Sequence, residues 1–213
     1  MDRLSATSPG VFISFEGVEG AGKSTQLKKI SDHLIGHGHD VLMTKEPGGT
    51  QLGQVLRQQL LDPNQDIRGE FTEILLFTAD RLEHVEQVIK PALAGGQIVL
   101  CDRYVDSTFA YQAGGRQVRE DVVRMLTGMA PILPQLTLLF DCPVEEGLER
   151  VKGRGKMDRF EHEALAFHNR VRDAYLKMAQ ENPNRIQIIS TQNRSVEAIF
   201  AEVLAKFSAV MIG

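Results

Sequence analysis

Apolar residues along this chain follow two alternating patterns. Short apolar runs stand at 11–15 (VFISF), 41–45 (VLMTK), 97–101 (QIVLC), 136–140 (LTLLF) and 185–190 (RIQIIS). Runs of this length, bounded by turn residues, suit parallel strands covered on both faces. Between them the apolar positions shift to a helical period. Thr25, Leu27, Ile30 and Leu34 mark one helix that stops near Gly36, and Leu52, Val55, Leu56, Leu60 and Leu61 mark another. The longest helical pattern covers 71–93, where Leu75, Leu76, Ala79, Leu82, Val85 and Ile89 cluster on one side of the projection. That side is expected to face the core, with Phe77 and Arg81, four apart, projecting opposite it. Stripes through Ala164, Phe167, Val171, Tyr175 and Met178, and through Val196, Ile199, Phe200, Val203 and Phe207, close the chain. A β-α order without internal repeats predicts a three-layer α/β/α domain over 11–213 with a mainly parallel five-stranded sheet, preceded by a flexible tail at 1–10.

The connections carry the chemistry. The first run leads directly into Gly17, Val18, Glu19, Gly20, Ala21, Gly22, Lys23 and Ser24, a match to the phosphate-binding loop G-x-x-x-x-G-K-[ST], followed by Thr25 and a helix. Glycines let successive backbone N–H groups turn inward, Lys23 places a charge on the β/γ-phosphates, and the Ser24 hydroxyl is a Mg²⁺ ligand candidate. The helix that follows aims its positive end at the same phosphates. The third strand runs into Asp102, where a carboxylate organising Mg²⁺ belongs, and Arg103 beside it would complement a second phosphate. Thr108 and Gln112, four residues apart, form a candidate base-reading edge, and Phe77 with Arg81 a candidate platform for a base and a phosphate. Arg57 alone reads as a solvated arginine. The segment 150–161 (RVKGRGKMDRFE) holds five basic residues and two glycines without an apolar period, and reads as a mobile basic lid.

Composition narrows the class. A length of 213 residues with 42% hydrophobic content supports a single extended core, and a formal net charge of −4 without a basic stripe leaves a nucleic acid no footprint. No stretch approaches the roughly 20 apolar residues of a membrane helix, and residues 1–10 lack the apolar segment of a signal peptide. Cys101 and Cys142 stand apart, without CxxC spacing, which points to a reducing cytoplasm. His37 and His39 could suggest a metal, but without a third ligand they read as solvated turn residues.

With these motifs in place the chain resembles the thymidylate kinases, enzymes that use ATP to phosphorylate dTMP to dTDP on the route to dTTP. The resemblance rests on FEGVEGAGKST, EPGGT followed by LR, LLFTADR, CDRY with STFAYQ, and the lid RGKMDRFE, in order and spacing. It implies a P-loop nucleoside monophosphate kinase fold, ATP and Mg²⁺ as reactants, and a homodimer. It also implies that Phe77 stacks on thymine, and that Arg81, Thr108 and Gln112 address the base edge. Arg103 and Arg57 would hold the acceptor phosphate, Glu19 would contact the sugar 3′-hydroxyl, and Tyr111 would fill the space of a ribose 2′-hydroxyl. The lid resembles that of bacterial members with a catalytic arginine there, so Arg154, helped by Arg159, is expected to join Lys23 and Arg103 in catalysis. Three other readings compete. A GTP switch lacks an N-K-x-D segment here, a deoxynucleoside kinase would need a base such as Glu16, and a non-catalytic module would bind ATP without turnover.

Overall fold

The computed structural model describes residues 10–69, 71–130, 132–153 and 157–212. Five strands, β1 (Val11–Glu16), β2 (Val41–Lys45), β3 (Ile98–Asp102), β4 (Leu136–Asp141) and β5 (Ile186–Ser190), form one parallel sheet in the order β2-β3-β1-β4-β5. Central β1 lies between β3 and β4, with Ile13 level with both Leu100 and Leu136. Because the pleat alternates, Ile13, Phe15, Leu100 and Phe140 enter one hydrophobic layer with Leu27, Ile30 and Val203. Phe12, Val99 and Cys101 enter the other with Val85 and Ile89. In β1 to β4 the charged residues stand only at the carboxyl ends, where Glu16, Lys45, Asp102 and Asp141 end the strands. The chain leaves β1 toward one edge of the sheet and later reaches β4 on the other side. That reversal makes a crevice at the carboxyl end of β1, the usual ligand position in such sheets.

The helices are α1 (Lys23–Gly36), α2 (Gln51–Leu61), α3 (Thr72–His84), α4 (Lys90–Ala94), α5 (Val105–Thr108), α6 (Glu120–Thr127), α7 (Val144–Lys152), α8 (Leu165–Glu181) and α9 (Val196–Ile212). A π-helical turn, Val85–Ile89, joins α3 to α4, and another, Phe109–Gly115, extends α5. Helix α7 occupies the first residues of the basic segment, while Arg154, Gly155 and Lys156 lie outside the described residues, as does the tail at 1–9.

The structure reverses one expectation for α3. The predicted core stripe is not what this helix buries in its first half: Leu75 is 51% exposed and Ala79 is exposed. Its inner face carries Glu73, Ile74, Thr78, Asp80, Arg81 and His84. The charges are tolerated inside because partners meet them, as when Glu46 receives both Arg81 and His84. Val85 and Ile89, which continue the face of Ile74, Thr78 and Arg81 at intervals of three or four residues, do enter the core as expected. Leu52 and Val55 of α2 are likewise exposed, so α2 and α3 together present apolar side chains outward.

Candidate active site

The phosphate loop is shaped by close backbone approaches. Gly17 has φ 136°, and a side chain there would put Cβ 2.2 Å from the Phe140 carbonyl oxygen; at Gly20, φ 69°, the clash would be with Gly147 O at 2.0 Å. Gly22, also left-handed, delivers the chain into α1, whose first residue is Lys23. The Lys23 ammonium donates to Gly17 O (2.9 Å) and Val18 O (2.8 Å), so it is folded back on its own loop. Burial, reinforced by nearby Arg103, lowers its pKa to about 8 against the pull of Asp102, Glu19 and Glu16. An anion arriving in the loop would relieve that cost. Ser24 Oγ donates to Asp102 Oδ2 at 3.0 Å, bringing two hard oxygen donors together at the mouth of the loop.

Arg103 follows β3 with φ 67°, a left-handed conformation held in place by its N–H bond to Phe15 O (3.0 Å). The turn sends its guanidinium across the end of β1. There it donates to Gly17 O (3.1 Å) and Glu19 Oε1 (3.0 Å) and lies 4.9 Å from the centre of the Tyr111 ring. Tyr111 also donates its hydroxyl to Glu19 Oε1 at 2.5 Å. Burial works to raise the Glu19 pKa, but the charges of Arg103 and Lys23, with His168 and Tyr111 alongside, hold it well below the usual carboxylate range.

Three residues earlier, Glu16 is fully buried and shifts the opposite way. It accepts from Tyr104 N (2.7 Å), Ser107 Oγ (2.6 Å) and Tyr175 Oη (2.7 Å), yet burial and then the charge of Asp106 raise its pKa to about 7.

The far end of the cleft is formed by α3 and the helix that starts at Val105. Phe77 lines it with Arg81, Thr108, Tyr111 and Gln112. Arg81 is fixed by Nε donating to Glu46 Oε2 (2.9 Å) and Nη2 to Thr108 Oγ1 (2.8 Å), while its buried Nη1 has no protein partner. Glu46 is held in turn by His84 Nδ1 (2.9 Å), whose Nε2 meets Thr44 Oγ1 (2.7 Å). Gln112 donates Nε2 to Glu73 at 2.8 Å. Arg57 lies between the two ends, donating to Pro47 O at 2.9 Å. One cleft therefore contains a phosphate cradle, cationic groups and an aromatic wall with polar groups behind it.

Known proteins resemble this chain over nearly its whole length. The family model described as thymidylate kinase matches residues 15–203. The chain belongs to the thymidylate kinase family. A thymidylate kinase of Geotalea uraniireducens is 44% identical over 210 residues, covering 93% of this chain and 99% of the relative. One of Pseudomonas putida is 45% identical over 204 residues, covering 95% and 97%. Among solved structures, a thymidylate kinase from Ehrlichia chaffeensis superposes with a TM-score of 0.76 at 30% identity, over 94% of this chain and 99% of that one.

Of the residues expected in a thymidylate kinase site, Glu19, Gly20, Lys23, Ser24, Arg57, Phe77, Arg81, Asp102, Arg103, Thr108, Tyr111 and Gln112 all line the one cleft. Arg159 stands apart from it. Its Nη2 donates to Glu73 (2.7 Å), its Nε to Leu60 O (2.9 Å), and its backbone N–H to Leu61 O (3.0 Å). Arg154 lies outside the described residues. His37 and His39 are exposed, His37 Nδ1 bonding to His33 O, and no metal-binding cluster occurs among the described residues. Reading the sequence for chemistry missed Glu46, Glu73 and His84, which hold other site residues. The available signal was a polar face of α3 that carries charge at Glu73, Asp80, Arg81 and His84.

Proposed function

We propose that this cleft aligns ATP and dTMP for transfer of the γ-phosphoryl group to the dTMP phosphate, giving ADP and dTDP, a precursor of dTTP. The observation that carries the reading is the distribution of chemistry along the cleft, with the phosphate loop at one end and Phe77, Arg81, Thr108 and Gln112 at the other. Lys23 is assigned to the ATP phosphates, exchanging two loop carbonyls for stronger, charge-assisted acceptors. Arg103 and Arg57, between the ends, are assigned to the acceptor phosphate. Glu19 is assigned to the sugar 3′-hydroxyl, with Tyr111 packed beside it. Phe77 is placed against the thymine ring, and Arg81, Thr108 and Gln112 at its edge.

Ser24 and Asp102 suit Mg²⁺, since both are oxygen donors already 3.0 Å apart beside the loop, and that ion would supply charge neutralisation on the phosphates. A phosphate oxygen is already a competent nucleophile, so the reaction calls for alignment and charge stabilisation rather than a general base. Glu16 supports this division. It is fully buried, holds three donors and does not line the cleft, which disfavours a kinase that deprotonates a nucleoside hydroxyl.

The exposed apolar residues Leu52 and Val55 on α2, Leu75 on α3 and Phe71 just before α3 support a homodimer through these helices. Two free, buried cysteines support a cytoplasmic setting, and no described helix is long and apolar enough to cross a membrane. The test is a coupled ADP-release assay over nucleosides and nucleoside monophosphates with Mg²⁺ and ATP. The expected result is that dTMP is the best acceptor. A faster thymidine, or ATP binding with no turnover on any acceptor, would overturn the assignment.

A further inference from the structure

A primary amide is a donor at one end and an acceptor at the other, so a glutamine reads a ligand unambiguously only if something fixes which end faces it. Gln112 is 2% exposed, lines the cleft beside Arg81 and Thr108, and donates Nε2 to Glu73 Oε1 at 2.8 Å. A carboxylate flanked by two guanidiniums accepts and does not donate, so the amide nitrogen has to face Glu73. With the nitrogen committed toward Glu73, the carbonyl oxygen on the other side of the amide is the acceptor available to the cleft. Arg81 is constrained in the complementary sense. Its Nε and Nη2 are committed to Glu46 and Thr108, and the buried Nη1 remains as a donor.

Glu73 is itself firmly held. It is 7% exposed and receives Arg159 Nη2 on Oε2 (2.7 Å) and Arg116 Nε on both oxygens (3.3 Å each). Arg116 is in turn tied to Glu163. The carboxylate thus has a fixed place and a fixed polarity, and it transmits both to Gln112.

We propose that Glu73 is a positioning residue that sets the polarity of the Gln112 amide, so that the cleft selects a pyrimidine with a ring N–H next to a carbonyl over one with a bare ring nitrogen next to an amine. This rests on the reading that a pyrimidine monophosphate occupies the cleft. Thymine and uracil present N3–H and a C4 carbonyl, which match an acceptor beside a donor. Cytosine presents a bare N3 and a C4 amine, and both positions are mismatched. Because each mismatch leaves a buried polar group unpaired, the penalty is large relative to a lost exposed contact.

The alternative is that Glu73 only knits Arg116 and Arg159 together. The two differ in what Glu73→Gln does, because a glutamine can offer either end to Gln112 and releases the amide to turn. The measurement is kcat/KM for dTMP, dUMP and dCMP in wild type and variant. In Glu73→Gln the dTMP-to-dCMP ratio should fall about tenfold or more, mostly through KM, by removing one enforced hydrogen bond. The dTMP-to-dUMP ratio should stay where it was, since both bases present the same edge. Glu73→Asp, which keeps an acceptor-only partner, should restore much of the dCMP rejection.

Equal losses on all three acceptors, or an unchanged dTMP-to-dCMP ratio in a folded variant, would overturn the assignment and leave Glu73 a structural tie. If wild type itself turned over dCMP as well as dTMP, the failure would lie with the pyrimidine-edge reading rather than with Glu73. Should Glu73→Gln not fold, NMR of the Gln112 side-chain amide in wild type decides the question. The N–H that bonds Glu73 should stay bonded when dTMP binds, and a large shift showing its donation to the base would contradict the proposal.

Discussion

The two ends of the cleft handle polar groups in opposite ways. At the phosphate end Lys23 rests on two loop carbonyls that a ligand can displace, and next to it Arg103 spans Gly17 O and the Glu19 carboxylate. At the base end Arg81 and Gln112 are each tied to a buried carboxylate, Arg81 to Glu46 and Gln112 to Glu73. The difference follows from what each end binds. A phosphate is a concentrated charge that can repay a rearrangement of lysine and arginine donors. A base edge is neutral, and it can be told from a similar edge only by groups whose donor and acceptor directions are fixed beforehand.

Removing a charge proposed to act on the transferring phosphoryl group should have the largest effect. Arg154→Ala is expected to lower the single-turnover rate on the order of 10³–10⁵, the range of an arginine that engages the transferring phosphoryl group. ATP and dTMP affinities should change far less, because the interaction strengthens in the transition state. A near-normal rate would leave charge stabilisation to Lys23 and Arg103. A parallel fall in affinity and rate would make the segment a ground-state clamp.

Glu16, buried outside the cleft lining, and Glu19, at its phosphate end, are shifted in opposite directions. Glu16 keeps its proton up to about 7 against an ordinary 4.5, so between those values the folded chain holds a proton the unfolded chain has released, and stability falls as pH rises. Glu16→Gln cannot titrate, and its stability relative to wild type should rise by up to about 3 kcal/mol across that window. Glu19 is depressed, so its contribution is present above its ordinary 4.5 and is lost as pH falls below it. Urea denaturation of wild type, Glu16→Gln and Glu19→Gln across both windows reads the two slopes. Parallel wild-type and Glu16→Gln curves above pH 4.5 would place the proton elsewhere.

A smaller effect is expected outside the cleft. Leu75→Glu on the exposed face of α3 should cost about 1–3 kcal/mol of association by removing one leucine from a buried interface. Analytical ultracentrifugation should then show a shift from dimer to monomer at a concentration where wild type is paired. A wild type that sediments as a monomer would remove the interface.

The strands and the phosphate loop were legible because each rests on local rules. Runs such as Val99, Leu100 and Cys101, buried on both faces, leave continuous apolar stretches, and Gly17, Gly20 and Gly22 occupy left-handed positions that mark the loop directly. The inner face of α3 was illegible for a non-local reason. Leu75 and Ala79 look like core by periodicity, but the partners that make burial of Arg81 and His84 tolerable lie on a distant turn at Glu46. Phe77 and Arg81 could be singled out because their chemistry suits a base. Glu73 is marked in the sequence only as one charge on a polar helix face, and Glu46 only as the first residue of EPGGT, because they act by holding Gln112 and Arg81, which only the folded chain brings beside them.

The division of the cleft into two ends with separate tasks is tested most directly by calorimetric titration of Phe77→Ala with dTMP and, separately, with ATP. The expected result is a loss of about 1–3 kcal/mol of dTMP affinity, the scale of stacking a base on an aromatic ring, with ATP affinity unchanged. Unchanged dTMP affinity in a folded variant, or equal losses for both nucleotides, would contradict it.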